Sequence, residues 1–320
     1  MKSSFLGLSV GLLGLASVAS AETGFIIMGD SGTGKEPQYR VAASMLDTCQ
    51  QNQCDFVLGL GDNIYEYGPW SKTDAQFQSK FEDPYKDFDI PFFMVQGNHD
   101  NSLIIPGDGG FNQRGFHEVR YTEFSSRWRM PNRYYAFDAD AQNALFVGYD
   151  SNPQNAYLPA IFSPYWWPNG KYVKEQKAWI QQTLAGSDAT WKFAFAHHPY
   201  MTNGHHGKDP LLQGKKPYRS FVQEALCDQV DFIFTGHEHA LEILDAHQDD
   251  CGNTRQAVSG AAAKNSGKRV SDEFNTIWDS YDKQWGYMHG AINGSQFTLT
   301  AYVVNEAGET TQAFQRVFNK

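Results

Sequence analysis

An α/β fold is predicted for this 320-residue chain, and three observations predict it. Short apolar runs recur between residues 25 and 234, and most end in a small residue followed by Asp, Asn or His. Segments with apolar spacing compatible with a helix separate them. The last ~65 residues change character and alternate apolar with polar positions, the pattern of antiparallel strands.

In chain order, residues 25–28 read as a buried strand that delivers Asp30 into a loop after Gly29. Residues 36–50 carry helical spacing. Residues 56–60 repeat the strand theme and end in Gly61-Asp62, and residues 72–88 read as helix or irregular chain. Strands at 91–95, 145–149, 191–196 and 230–234 lead to Asn98, Asp150, His197 and His237. A helix is expected at 171–185. The aromatic-rich stretch 157–167 reads as a loop with its own cluster or as a rim around a site. Residues 259–273 are rich in Gly, Ser and Lys. Segments 287–292, 297–304 and 311–318 follow, joined by Asn-Gly and Gly-Glu turns. They read as a meander packed on the core, so residues 22–320 are expected to form one domain. In α/β sheets ligands bind beyond the carboxyl ends of strands. The repeated ends therefore gather distant polar residues at one edge.

Lys2, an apolar run over 5–18 and Ala19-Ser20-Ala21 read together as an export signal, residues 1–21. The run is short for a bilayer span, so a periplasmic or secreted protein beginning at Glu22 is expected, with no stable membrane insertion. A net charge of −10 argues against a nucleic-acid surface. Four cysteines suit two disulfides in an exported chain. Three pairings are possible, and the local one, Cys49–Cys54 with Cys227–Cys251, is the expectation.

The stretch IIMGDSGTGK, residues 26–35, imitates a nucleotide phosphate loop. Glu36 stands where a hydroxyl should hold Mg²⁺, and its carboxylate would repel phosphates. Metal chemistry explains more of the chain. Seven of the ten histidines fall in three windows: His99; His197, His198, His205 and His206; His237 and His239. They lie at strand ends alongside Asp30, Asp62 and Asn98. Carboxylate, imidazole, amide and phenolate donors suit iron, zinc or manganese better than calcium. Two such ions bridged by a carboxylate can generate a nucleophile and neutralise a phosphoryl group together.

Five motifs occur in order: Gly29-Asp30; Gly61-Asp62-Asn63-x-Tyr65; Gly97-Asn98-His99-Asp100; His197-x-Pro199; and Gly236-His237-x-His239. Over residues 24–318 the chain resembles the calcineurin-like metallophosphoesterases, and within them the purple acid phosphatases of the small tartrate-resistant type. The stretches SSRWRMPNRYYAFD at 125–138 and SGAAAK at 259–264 support the resemblance. It implies a four-layer αββα fold of two packed mixed sheets flanked by helices, and a monomer. Asp30, Tyr65 and His239 match ligands of Fe(III). Asp62 matches the bridge. Asn98, His197 and His237 match ligands of a divalent metal, which is Fe, Zn or Mn in that family. A tyrosine at position 65 separates the purple enzymes from most of their relatives.

His99 follows a ligand, so it can meet a phosphate oxygen or protonate a leaving alkoxide. Asp100 is expected to orient it or raise its basicity. His206 matches a substrate-contacting histidine of the family, although His205 beside it keeps the choice open. His198 reads as a bystander and Glu238 as pointing away. The function implied is an exported acid phosphatase. It would hydrolyse small phosphate monoesters by attack of a metal-bound hydroxide, with an acidic optimum. The alternatives are a phosphodiesterase or nucleotidase on the same fold, or a non-catalytic iron-binding or redox protein.

Overall fold

Two seven-stranded mixed sheets lie face to face. The computed structural model of the chain describes residues 22–156, 163–207 and 216–320. The expected leader and much of the aromatic stretch at 157–167 lie outside them. In chain order the strands are β1 (Thr23–Met28), β2 (Phe56–Gly59), β3 (Phe92–Met94), β4 (Trp128–Arg129), β5 (Tyr135–Ala139), β6 (Ala144–Gly148) and β7 (Trp191–Phe195). They continue with β8 (Phe232–Thr235), β9 (Leu241–Leu244), β10 (Arg255–Ser259), β11 (Thr276–Ser280), β12 (Trp285–Asn293), β13 (Gln296–Val304) and β14 (Thr310–Asn319). The first sheet runs β14-β13-β12-β1-β2-β3-β4 and the second β11-β9-β10-β8-β7-β6-β5.

Every residue of β1, β2, β6 and β8 is buried. That suits central parallel strands covered on both faces. Between the sheets lies a layer of phenylalanines. The Phe25 ring on β1 sits 5.1 Å from Phe146 on β6 and 6.1 Å from Phe193 on β7, edge to face. Helices complete the layers. The helix Glu36–Gln51 covers the first sheet with Val41, Ala42 and Met45, and the Tyr287 hydroxyl lies 2.7 Å from that of Thr48. The helices Lys171–Ala185 and Lys216–Ala225 cover the second sheet, where Val173, Ile180, Leu184, Phe221 and Val222 form a second core.

The structure decides between two readings of residues 72–88 and adds strands. Over 72–88 only a single π-helical turn forms, Gln78–Glu82. Its neighbours are held by rings instead: Phe77 stacks on Tyr121 at 3.7 Å, and Phe81 meets Trp128 at 4.9 Å. Strands β4, β5, β9, β10 and β11 were outside the sequence reading. β4 has only two residues, and β11 is a half-buried edge, so neither shows a clear alternation. The C-terminal meander does form, as β12–β14, and pairs onto β1 through β12.

The topology sets the site. β1, β2 and β3 are adjacent and parallel in one sheet, and β7 and β8 are adjacent and parallel in the other. Their carboxyl ends open at one common edge. The bond from Asp30 N–H to the Gly61 carbonyl, 3.0 Å, carries the β1–β2 register into the loops. Gly236 N–H donates to the His197 carbonyl at 3.0 Å and does the same for β7 and β8. At the start of the helix Glu36–Gln51, Lys35 is exposed.

Both disulfides are local: Cys49–Cys54, with separation 5, and Cys227–Cys251, with separation 24. Loop-closure entropy makes the longer one worth about 3.5 kcal/mol and the shorter about 2 kcal/mol. Urea unfolding should show the larger loss for the Cys227→Ser/Cys251→Ser double variant than for Cys49→Ser/Cys54→Ser. Equal losses would contradict that ranking.

Candidate metal centre

Seven side chains from five strand ends converge at this edge. Asp30, Asp62 and His237 all sit in the left-handed backbone region, with φ of 59°, 52° and 66°. Among the described residues six non-glycines do so, and half of them are in this cluster. That conformation turns the chain sharply off its strand and costs about 1–3 kcal/mol per residue. Glycines make room for the two acids. A side chain at Gly97 would overlap the Asp62 carboxylate, and one at Gly236 would sit 2.5 Å from Asp30 Oδ2.

The donors fall into two groups. In the first, the Tyr65 hydroxyl donates to Asp30 Oδ1 at 2.9 Å and lies 3.3 Å from His239 Nε2, which is 3.4 Å from Asp30 Oδ1. In the second, His197 Nε2 is 2.8 Å from Asn98 Oδ1 and 3.0 Å from His237 Nδ1. Asp62 connects them: Oδ1 lies 3.5 Å from His197 Nε2, and its charge acts directly on Tyr65. Asp30, Asp62 and Tyr65 are almost fully buried, as are Asn98 and His197.

Outer contacts aim these donors. His197 Nδ1 donates to the Leu60 carbonyl at 2.9 Å, which leaves Nε2 with its lone pair facing the cluster. His239 Nδ1 meets Ser266 Oγ at 2.8 Å. Asp30 Oδ2 accepts the His237 N–H at 2.7 Å, and Asp62 Oδ1 accepts the His99 N–H at 2.9 Å. Burial pushes the Tyr65 phenol well above its usual range, and the Asp30 and Asp62 charges add to that. Burial pushes His237 down, helped by the neighbouring imidazoles. For Asp62 burial acts upward, but His197, His99 and the His99 N–H outweigh it and hold the carboxyl below its usual range. Two adjacent buried carboxylates among imidazoles form a donor set made for cations. The residues present therefore fit a pair of metal ions.

A cavity of about 320 Å³ opens beside the second group, with Asn98, His99, His198, His206 and His237 in its wall. The His99 ring packs 4.3 Å from Tyr65, and its Nδ1 donates to the Glu66 carbonyl at 2.7 Å. Asp100 faces elsewhere. Its carboxylate accepts the N–H groups of Gly97, Ile64 and Asn63 at 2.7, 2.9 and 3.2 Å. It ties the loop after β2 to the loop after β3, and the hydrogen bond that orients His99 comes from Glu66. Behind it sits Glu118, fully buried, its carboxyl pushed well up by burial and by Asp100.

Of the two adjacent histidines, His205 is exposed while His206 turns inward, its ring 4.2 Å from His237. Burial lowers His206 to about 4, with His205 adding to the effect. Two residues that the sequence reads as peripheral have defined places beside the cluster. His198 is buried, its ring 4.5 Å from His237, and it forms a possible ligand group with His197 and His237. Its Nδ1 lies 2.8 Å from Ser151 Oγ. Glu238 is 1% exposed, and its Oε2 accepts the His206 N–H at 2.9 Å. Glu238 stands inside the Gly236-His237-x-His239 motif and His198 inside His197-x-Pro199, but the segment that Glu238 holds lies 32 residues away in sequence. Asp150, the remaining strand-end acid, is paired instead with the buried Arg133 guanidinium at 2.7 Å.

The chain is similar to known phosphoesterases. The profile of the calcineurin-like phosphoesterases matches residues 24–241. Purple acid phosphatase 17 of Arabidopsis thaliana is 28% identical over 251 residues, covering 75% of this chain and 68% of the relative. Tartrate-resistant acid phosphatase type 5 of Mus musculus is 25% identical over 329 residues, covering 92% and 91%. Among solved structures, GAP50, titled the anchor in the inner membrane complex of Plasmodium, superposes with a TM-score of 0.70 at 18% identity, over 93% of this chain and 89% of its own. That likeness shows a shared fold. With a matching profile over most of its length, and acids and imidazoles gathered at the strand ends, the chain belongs to the calcineurin-like phosphoesterase family.

Proposed function

We propose that the chain is an exported acid phosphatase of the purple type, using two metal ions to hydrolyse phosphate monoesters. The observation that carries this reading is the division of seven donors into two groups linked by Asp62, with a phenol in one of them. Asp30, Tyr65 and His239 would hold Fe(III). Asn98, His197 and His237 would hold a divalent Fe, Zn or Mn ion, and Asp62 would be shared. When bound, such ions supply a nucleophile at ordinary pH and neutralise phosphoryl charge.

The chain's own groups do the rest. The Glu66 backbone carbonyl accepts a hydrogen bond from His99 Nδ1–H, which leaves Nε2 to meet a phosphoryl oxygen or the departing alcohol. His206, held through its backbone by Glu238, brings a second imidazole to the same cavity. Asp100 fixes the two loops that present Asp62 and Asn98. Formed disulfides fit an oxidising compartment. No helix among the described residues is long and apolar enough to cross a membrane. The disulfides support a periplasmic or secreted location.

Turnover of p-nitrophenyl phosphate tests the reading. Asp62→Ala should lower kcat on the order of a thousandfold, about 4 kcal/mol of barrier. A variant with the wild-type rate would rule out the shared carboxylate. The monoester should react faster than bis(p-nitrophenyl) phosphate, and the reverse order would favour a diesterase.

His205 and His206 give a sharper contrast. His206→Ala should reduce kcat/KM by about a hundredfold, the lower end for a positioned imidazole. His205→Ala should stay within about twofold, as most exposed substitutions do. Equal losses from the two variants would contradict the assignment.

A further inference from the structure

We propose that the loop following Asn101 is an apolar shelf for the alcohol of the substrate. The site would then select phosphate monoesters of apolar alcohols over those of small or polyhydroxylated ones. This inference rests on the phosphatase reading above. Ile105 and Pro106 line the same cavity as Asn98, His99, His206 and His237. A phosphoryl group bound at the donors would direct its ester oxygen toward the cavity mouth, where that apolar wall stands.

The shelf is rigid and stays in water. Asp108, 2% exposed, accepts the N–H groups of Leu103, Ile104, Ile105 and Gly110 at 2.7, 2.7, 2.8 and 2.9 Å. Asn98 Nδ2 donates to the Gly107 carbonyl at 2.7 Å and presses the loop onto the donor cluster. With its backbone fixed in this way, the loop leaves Ile104 66% and Ile105 55% exposed. Aromatic side chains neighbour the loop on its outer side. The Tyr67 hydroxyl donates to the Ile104 carbonyl at 2.9 Å. The Arg114 guanidinium lies 3.6 Å from the Trp70 ring and 5.9 Å from those of Tyr67 and Phe111. Trp70 is itself 66% exposed. Isolated exposed apolar side chains are ordinary, but a contiguous patch at a cavity mouth marks a contact surface. Pinning the loop in advance lowers the ordering cost of binding there.

The test uses alkyl phosphates, whose leaving oxygens are chemically alike, on the metal-loaded protein. Full burial gains about 3–4-fold per methylene. A half-covered chain should therefore raise kcat/KM for hexyl over ethyl phosphate about tenfold. 2-Phenylethyl phosphate separates aromatic from aliphatic alcohols, and a gain with either supports the shelf. The Ile104→Ser/Ile105→Ser double variant should reduce the hexyl-to-ethyl ratio to about twofold or less. A wild-type hexyl-to-ethyl ratio near one with no gain for 2-phenylethyl phosphate, or a preference unchanged in the variant, overturns the proposal. Calorimetry with hexylphosphonate and methylphosphonate reads the same shelf without turnover. If no ester is cleaved but hexylphosphonate binds more tightly in an isoleucine-dependent way, the shelf stands and the phosphatase reading fails. Equal binding of the two phosphonates overturns the shelf.

Discussion

The structure depends on two buried carboxylates that bind backbone as well as facing a common centre. Asp30 leaves β1 and takes the His237 N–H, which joins the end of the first sheet to the end of the second. Asp62 leaves β2 and takes the His99 N–H, which joins two neighbouring loops of the first sheet. Each acid therefore fixes the position of a residue beside or within the donor set. Buried carboxylates are costly unless paired. A cation between them would complete what the amide hydrogens begin.

Geometry of this kind needs a stiff frame. Three donors sit in the left-handed backbone region, and such strain persists only where surrounding packing over-determines it. The phenylalanine layer between the sheets supplies that packing. So do the fully buried strands that lead into the site. The groups proposed to act on substrate then need little freedom of their own. Hydrogen bonds to neighbouring segments position His99 and His206, and Asp108 and Asn98 pin the apolar loop beside them.

Much of this was legible in the sequence because strand ends are local signals. Gly29-Asp30, Gly61-Asp62 and Gly236-His237 each follow a short apolar run, and the structure brings all three pairs to one edge. What the sequence concealed depends on distant contacts. Asp100 follows His99 directly, so adjacency suggests that it serves that ring. In the helical turn His99–Asn101, neighbouring side chains face apart, and Asp100 reaches Asn63 and Ile64 instead. The choice between His205 and His206 is equally invisible in a dipeptide. Burial against His237 separates them. Residues 72–88 read as helix or irregular chain, and aromatic stacking holds most of the segment irregular. The edge strands β5 and β11 carry too little alternation to be read.

Elemental analysis of the purified protein, run beside an Asp62→Asn variant, tests the account most directly. Two transition-metal ions per wild-type chain, iron among them, with a clear loss in the variant, is the predicted result. A wild-type chain without such metals, or a variant that keeps both ions, would contradict it.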